Sequence, residues 1–213
     1  MPAPAPGYVI LLPVKPPARG KSRLLGIESH ERADLARSFA LDTAESCLAA
    51  TSVGAVLVIT DDSYFAADVA RLGAAVIPDG VSGDLNQTLV QGALEARRRW
   101  PGLRPAALCG DLPALRPTDL DMALTAAGGL GAAYVEDAAG GGTTLYTAHH
   151  DQFRPAFGPG SAAAHRAGGA HPLAGDLRSL RHDVDTLEDL EAVRRLGLGP
   201  RTALASVRVS SLG

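Results

Sequence analysis

The sequence predicts a single three-layer α/β/α domain with a mixed, mostly parallel sheet, extending over residues 7–213. Short continuous apolar runs, of which Tyr8–Leu12 and Ala55–Thr60 are the clearest, are typical of strands buried on both faces. Segments with apolar residues at helical spacing alternate with these runs. Because strands and helices alternate without an internal repeat or a clear linker, one sheet covered by helices on both faces is favoured.

The elements follow one another with recognisable boundaries. Asp61-Asp62 stops the second strand, Pro101 ends a helix, and Thr186 with Asp189 resembles a capping box in which Asp replaces Glu or Gln. The predicted strands are Tyr8–Leu12, Ala55–Thr60, Ala74–Ile77, Pro105–Gly110, Ala132–Val135 and Thr143–Thr147. The predicted helices are 28–50, 64–72, 85–100, one beginning at Pro117, one after the sequence FGPGS, and 186–196, the last that the pattern supports. The Pro/Ala-rich residues 1–6 are predicted to be disordered.

Composition limits the classes of function. A net charge of −3 leaves no broad basic surface, so no nucleic-acid partner is expected. No apolar run reaches the length of a membrane span and the N-terminus lacks the pattern of a signal peptide, so we expect no membrane association and a cytoplasmic location. The two cysteines, Cys47 and Cys109, are interpreted as small buried hydrophobic residues.

A basic loop follows the first predicted strand, at the edge where α/β folds bind ligands. Lys15, Arg19, Lys21 and Arg23 lie within nine residues, together with Gly20. Such a cluster suits a phosphate chain, although a solvated loop is the commoner meaning of a charge run taken alone. The loop matches neither GxxxxGK[ST] nor GxGxxG, so neither a P-loop protein nor a dinucleotide-binding domain is indicated.

Three aspartates are candidate ligands of Mg²⁺. Asp111 follows a buried strand, and Asp183 and Asp185 are two apart in a segment that is expected to be extended, so their side chains point the same way. Hard carboxylate oxygens could bind one or two Mg²⁺ ions. Asp111 could equally cap a turn, and Asp185 could assist the start of the last helix.

A glycine-rich segment, Phe157–Ser161, is a candidate anion site. Ser161 is a suitable N-cap for the following helix, and its glycines would let a ligand approach the backbone. Thr143, after a triple glycine, could donate a hydroxyl. The alternative is a turn followed by a capped helix, and His165 within that helix is interpreted as packed rather than catalytic.

Five segments, taken together, resemble the 2-phospho-L-lactate/phosphoenolpyruvate guanylyltransferase family of coenzyme F420 biosynthesis. They are PVKPPARGKSRL (13–24), DLNQTL (84–89), CGDLPAL (109–115), FGPGSAAAHRAGG (157–169) and RHDVDTLEDL (181–190). The resemblance implies a nucleotidyltransferase fold of the GT-A-like, nucleotide-diphospho-sugar transferase type. It also implies transfer of GMP from GTP to a small phosphorylated acid with Mg²⁺, possible homodimers, and a possible hand-off of the product to the next enzyme. The composition resembles that of high-GC bacterial members, in which phosphoenolpyruvate is the usual acceptor.

The resemblance also assigns roles to residues. The metal is assigned to Asp111, Asp183 and Asp185, and the phosphorylated acid to Thr143, Gly158 and Ser161. The nucleotide is assigned to Lys15, Lys21, Arg23, Asn86 and Gly110, of which the three basic residues face the phosphates and, with Asp111, form the catalytic set.

Two other functions remain open. A related nucleotidyltransferase of the molybdopterin or sugar type usually begins with a LAGGxSxRMG-like loop, which this chain lacks. A non-catalytic nucleotide-binding protein of the same fold would not need three converging carboxylates.

Overall fold

Seven strands form one mixed sheet in the computed structural model, which describes residues 7–15, 24, 26–81 and 83–210. The strands are β1 (Tyr8–Pro13), β2 (Val53–Ile59), β3 (Ala75–Ile77), β4 (Arg104–Leu108), β5 (Ala132–Glu136), β6 (Thr143–Ala148) and β7 (His171–Pro172). Their order is β3-β2-β1-β4-β6-β5-β7. Only β6 runs against its two neighbours within this sheet of described residues, so the predicted mixed, mostly parallel sheet is confirmed.

The helices are α1 (Ser29–Ala49), α2 (Ser63–Arg71), α3 (Leu85–Arg99), α4 (Pro117–Ala127), α5 (Ser161–Ala167), α6 (Arg178–Arg181), α7 (Leu187–Arg194) and α8 (Pro200–Ser210). The predicted capping box at the start of α7 is present: the Thr186 hydroxyl accepts from the backbone N–H of Asp189, and the Asp189 carboxylate accepts from that of Thr186. None of the described helices is both long and apolar enough to cross a membrane.

Strand β1 shows why the sheet needs a layer of helices on each face. Its side chains alternate, and all five residues from Tyr8 to Leu12 are buried. Tyr8, Ile10 and Leu12 pack with residues of α1, α2 and α4. Val9 and Leu11 pack on the other face with residues of α3 and α5. This is the predicted three-layer arrangement.

Helix α8 is missed by the sequence pattern, because its inward face is not apolar. The buried residues include Thr202 and Ser206, whereas Leu204 and Val207 are 62% and 63% exposed. The helix is held instead by the buried carboxylate of Asp42 in α1, which accepts from the backbone N–H groups of Arg201 and Thr202 at 3.3 and 2.8 Å. A pattern of hydrophobic periodicity does not detect such an anchor.

Some predictions lie outside the described residues. These are the disordered tail at residues 1–6, and Arg19, Lys21 and Arg23 of the basic loop. Leu24, at the end of this loop, is buried against α1 and α7.

Candidate active site

A cavity of about 460 Å³ opens beyond the carboxyl ends of β1 and β4. This is the edge at which ligands bind in open α/β sheets. Its lining includes Lys15 after β1, Gly110 and Asp111 after β4, Phe157, and Asp185 before α7. Segments that are distant in sequence therefore contribute to one concave site.

A backbone hydrogen bond brings the two carboxylates to the same wall. The N–H of Val184 donates to the carbonyl oxygen of Asp111 at 3.0 Å, which joins the segment before α7 to the end of β4. Val184 is fully buried, so the side chains on either side of it are directed away from the core. Asp185 lies in the cavity lining, as does Asp111.

Thr186, rather than Asp185, is the N-cap of α7. Asp189 completes the capping box, and Asp185 contributes its backbone N–H to the Asp189 carboxylate at 3.1 Å. The turn after Asp111 is closed by the backbone bond from Leu115 to Leu112, at 2.9 Å. Asp111 and Asp185 both line the cavity wall.

The three predicted aspartates do not form a preformed metal cage. Across residues 7–15, 24, 26–81 and 83–210, no three His, Cys, Asp or Glu side chains are grouped closely enough to hold a metal ion. Asp183 is not among the residues that line the cavity. Mg²⁺ in nucleotide sites is commonly held by one or two carboxylates together with substrate phosphates and water, and Asp111 with Asp185 fits that pattern.

Lys15 is the described part of the basic cluster. It is exposed and lines the cavity directly after β1. The N–H of Val14 donates to the carbonyl oxygen of Ile59 at 2.9 Å, which fixes the backbone directly before Lys15 to strand β2. Lys15 shares the cavity with Asp111 and Asp185.

The start of α5 differs from the prediction for Ser161. Gly160 occupies the N-cap position in the left-handed region, with a φ of 70°, and no side chain caps the helix there. Ser161 is the first helical residue, only 2% exposed, and its N–H donates to the carbonyl oxygen of Gly158 at 3.1 Å. The predicted N-cap role of Ser161 is wrong, because glycine adopts this turn conformation more easily and moves the cap back by one residue.

Thr143, the first residue of β6, is fixed by its surroundings. The carboxylate of Asp137 accepts from the N–H groups of Gly141 and Gly142 at 3.0 and 2.8 Å, which shapes the glycine turn before it. The Thr143 hydroxyl oxygen lies 3.0 Å from Nδ1 of His165. His165 is packed, as predicted: its ring stacks on that of Tyr146 with centroids 4.5 Å apart.

Asn86 has a contact that the sequence does not indicate. Its amide nitrogen donates to the carbonyl oxygen of Phe157 at 3.0 Å, and its amide oxygen accepts from the Phe157 N–H at 2.8 Å. The amide thus holds the glycine-rich segment rather than lying open in the cavity. Beside it, Asp84 and Thr88 line the cavity, while the contact of the Asn86 segment with the nucleotide stays a prediction.

Sequence reasoning misses part of the cavity wall around Asp79. The Oδ1 atom of Asp79 accepts from the Thr88 hydroxyl at 2.7 Å and from the N–H of Val81 at 3.1 Å. The Asp79-Gly80 pair by itself indicates only a turn, and its place beside the cavity depends on the packing of α3. Cys109 also lies half-buried in this wall, while Cys47 is buried in the core.

The fold is that of nucleotidyltransferase-type α/β proteins. Solved structures of similar fold include a putative nucleotide-diphospho-sugar transferase from Desulfovibrio desulfuricans, with a TM-score of 0.70, 19% identity and 95% of each chain covered. A nucleotidyl transferase from Methanothermobacter has a TM-score of 0.63 and 17% identity, over 89% of this chain and 96% of that one.

The chain belongs to the family described as "Guanylyl transferase CofC like", whose model matches residues 8–194. A phosphoenolpyruvate guanylyltransferase from Thermomonospora curvata is 47% identical over 204 residues, which cover 95% of this chain and 90% of the relative. A phosphoenolpyruvate guanylyltransferase from Streptomyces coelicolor is 44% identical over 209 residues, covering 97% and 99%. The family resemblance drawn from the five sequence segments is confirmed, and the chain is a nucleotidyltransferase enzyme.

Proposed function

We propose that this chain transfers GMP from GTP to phosphoenolpyruvate, with release of pyrophosphate, as a step of coenzyme F420 biosynthesis. The observation that carries the proposal is the convergence of Lys15, Asp111 and Asp185 on one cavity at the carboxyl edge of the sheet. Membership of the guanylyl transferase family and the names of relatives at 41–47% identity support the choice of nucleotide and acceptor.

The reaction makes and breaks one phosphorus–oxygen bond. A phosphate oxygen of phosphoenolpyruvate attacks the α-phosphorus of GTP and forms a new diphosphate linkage. The bond between the α-phosphorus and the bridging oxygen breaks, and pyrophosphate leaves with the electron pair. The attacking phosphate is already ionised at neutral pH, so the site needs no general base.

The work of the protein is therefore neutralisation and alignment of two anions. Lys15, which lines the cavity, is proposed to contact the phosphates of GTP, and Lys21 and Arg23 are proposed to add charge to the same contact. On the acceptor side, Thr143, Gly158 and Ser161 are proposed to hold the phosphorylated acid.

We assign Mg²⁺ to Asp111 and Asp185, with Asp183 as the further ligand that the resemblance implies. The fit rests on two carboxylates and a lysine that line the same cavity. When bound, the ion would offset the negative charge of the phosphates. The Val184–Asp111 backbone bond ties the segment that contains Asp185 to the end of β4.

Pyrophosphate release measured over a panel of substrates tests the proposal. GTP with phosphoenolpyruvate and Mg²⁺ should give the highest kcat/KM, with 2-phospho-L-lactate as the alternative acceptor and ATP, CTP and UTP as alternative donors. Removal of Mg²⁺ by a chelator should stop release. A higher kcat/KM with ATP, or release that does not depend on an acceptor acid, would contradict the proposal. The cytoplasmic location, the dimer and the hand-off to a following enzyme stay predictions.

A further inference from the structure

His165 is a buried titratable side chain to which the proposed reaction assigns no task. It is 2% exposed, lies in α5 and is enclosed by three aromatic rings. The ring of Tyr146 stacks on it, that of Phe157 meets it edge-on at a centroid distance of 5.3 Å, and that of Tyr134 lies at 5.8 Å. A polar ring in such surroundings needs both of its nitrogens satisfied.

The partners of His165 determine where its proton is. The backbone N–H of Ala156 donates to Nε2 at 2.9 Å, and a backbone N–H cannot act as an acceptor. Nε2 therefore carries no hydrogen, and the proton of the neutral ring is on Nδ1. Burial lowers the pKa of His165 from 6.5 to about 4, partly offset by a backbone hydrogen bond at Ser161, so the ring is neutral at pH 7.

This tautomer fixes the direction of the next hydrogen bond. Nδ1–H donates to the hydroxyl oxygen of Thr143, 3.0 Å away. Because that oxygen accepts from His165, the hydroxyl hydrogen of Thr143 is directed to a different acceptor. Thr143 is itself 5% exposed, and its carbonyl oxygen lies 3.5 Å from the sulfur of Cys109 in the cavity wall.

We propose that His165 is a positioning residue that makes the Thr143 hydroxyl a donor toward the anionic acceptor. Through Ala156, the same ring holds the segment that leads into Phe157 and Gly158. The buried His165 side chain thus sets the direction in which the Thr143 hydroxyl donates, and it also contacts the glycine-rich loop. The inference rests on the proposed function, because the anion is the phosphorylated acid named there.

Steady-state kinetics separate this role from a purely structural one. Thr143→Val should raise the KM for phosphoenolpyruvate about ten- to a hundredfold, as expected for a hydrogen bond to a charged group, with the KM for GTP within about twofold. Thr143→Ser, which keeps the hydroxyl, should restore most of the affinity. Equal increases in both KM values would overturn the proposal.

Variants of His165 test whether it acts through Thr143. His165→Phe keeps an aromatic ring and should reproduce the acid-specific defect. His165→Asn offers an amide donor near the position of Nδ1, so its KM for phosphoenolpyruvate should be closer to that of the wild type. In the double variant His165→Phe/Thr143→Val, the increase in the KM for phosphoenolpyruvate should be clearly smaller than the product of the two single increases, because both variants act on the same hydroxyl. Multiplied defects would contradict action through the threonine.

The tautomer can be measured without activity, which also protects the test against variants that fold poorly. Long-range ¹H–¹⁵N correlation spectra of the wild-type protein at pH 7, assigned with His165→Asn, should show a neutral ring with its proton on Nδ1. A proton on Nε2 would overturn the inference even if GMP transfer occurs. If neither phosphoenolpyruvate nor 2-phospho-L-lactate is turned over by the wild type, the proposed function fails while the tautomer result still decides the geometry.

Discussion

The side-chain amide of Asn86 bonds both backbone polar groups of Phe157, at 3.0 and 2.8 Å, across 71 positions of sequence. The contact joins the first turn of α3 to the loop before α5. Phe157 lines the cavity from this loop, and Asp84 and Leu85 line it from the start of α3. Two sequence segments that resemble the family are therefore linked directly across the site.

The first prediction concerns this pair of hydrogen bonds between Asn86 and Phe157, here called the Asn86–Phe157 clamp. Asn86→Ala should lower the free energy of unfolding by about 2 kcal/mol, because two part-buried hydrogen bonds of about 1 kcal/mol each are lost. For a chain of this size, that is a fall in Tm of roughly 4–8 °C. The KM for phosphoenolpyruvate should rise as the loop loses its position. Gln87→Ala, at the exposed next residue, is the matched control and should leave both quantities unchanged. A stable Asn86→Ala protein with normal kinetics would show that the clamp is dispensable.

The second prediction separates ligand-binding carboxylates from capping ones. Asp111→Asn and Asp185→Asn should each reduce kcat/KM at least about a hundredfold, since a change of about 2.7 kcal/mol in transition-state stabilisation has this effect. Their Tm should change little. Asp189→Ala, which removes the capping box, should behave oppositely: about 1 kcal/mol less stable with activity kept. Parallel kinetics and thermal unfolding of the three variants decide, and near-normal rates in Asp185→Asn would contradict its assignment to the metal.

The third prediction is a pH dependence that comes from His165. Its pKa is lowered from 6.5 to about 4 by burial, so between these values the unfolded chain binds a proton that the folded chain does not. The contribution of the neutral His165 ring to the free energy of unfolding is fully present above about pH 6.5, and it is lost as the pH falls toward 4. Since one pKa unit corresponds to about 1.4 kcal/mol, the loss reaches up to about 3 kcal/mol.

Denaturant unfolding at several pH values between 4 and 7 checks this prediction. His165→Asn serves as the comparison, because the carboxylates titrate in both proteins and their effect cancels in the difference. The wild type should lose more free energy of unfolding than the variant as the pH falls. Identical pH profiles would mean that the folded protein tolerates a charged His165.

The fourth prediction concerns the anchor of α8. Asp42→Ala removes the acceptor of the N–H groups of Arg201 and Thr202, and it should cost about 1–3 kcal/mol because the Thr202 group is buried. Gly199→Ala should also destabilise the protein, since an added Cβ would lie 2.4 Å from Cγ of Asp42. Both variants should keep a normal KM for each substrate at low temperature, as the anchor is separate from the cavity lining. A selective kinetic defect would contradict this separation.

The sequence alone is sufficient to predict features that depend on a local residue pattern or that follow from the topology of the sheet. The continuous apolar run of β1 is enough to predict a buried strand, and the rule that ligands bind at the carboxyl ends of strands is enough to select Asp111. The capping box at Thr186 is also local enough to predict. The chemistry of the other carboxylate, Asp185, stays ambiguous in the sequence because metal binding and helix capping favour the same residue type at the same place.

The rest depends on contacts between distant parts of the chain. A bond from the Asn86 side chain to the Phe157 backbone leaves no periodic signal, and neither does the bond from Ala156 to His165. Serine is favoured at an N-cap, which predicts Ser161 there, but the left-handed conformation of Gly160 moves the cap. In the sequence, Asp79 shows only the pattern of a turn residue. Its place in the cavity wall depends on the packing of α3, which the sequence pattern does not indicate.

The most direct test of the central claim, transfer of GMP to phosphoenolpyruvate, is to follow the fate of labelled phosphates. With [α-³²P]GTP, phosphoenolpyruvate and Mg²⁺, the label should appear in a new product containing the guanosine and the acid. With [γ-³²P]GTP it should appear only in pyrophosphate. Asp111→Asn should abolish both changes. Transfer of the γ-label to the acid, formation of GDP, or absence of the α-labelled product with both phosphoenolpyruvate and 2-phospho-L-lactate would contradict the account.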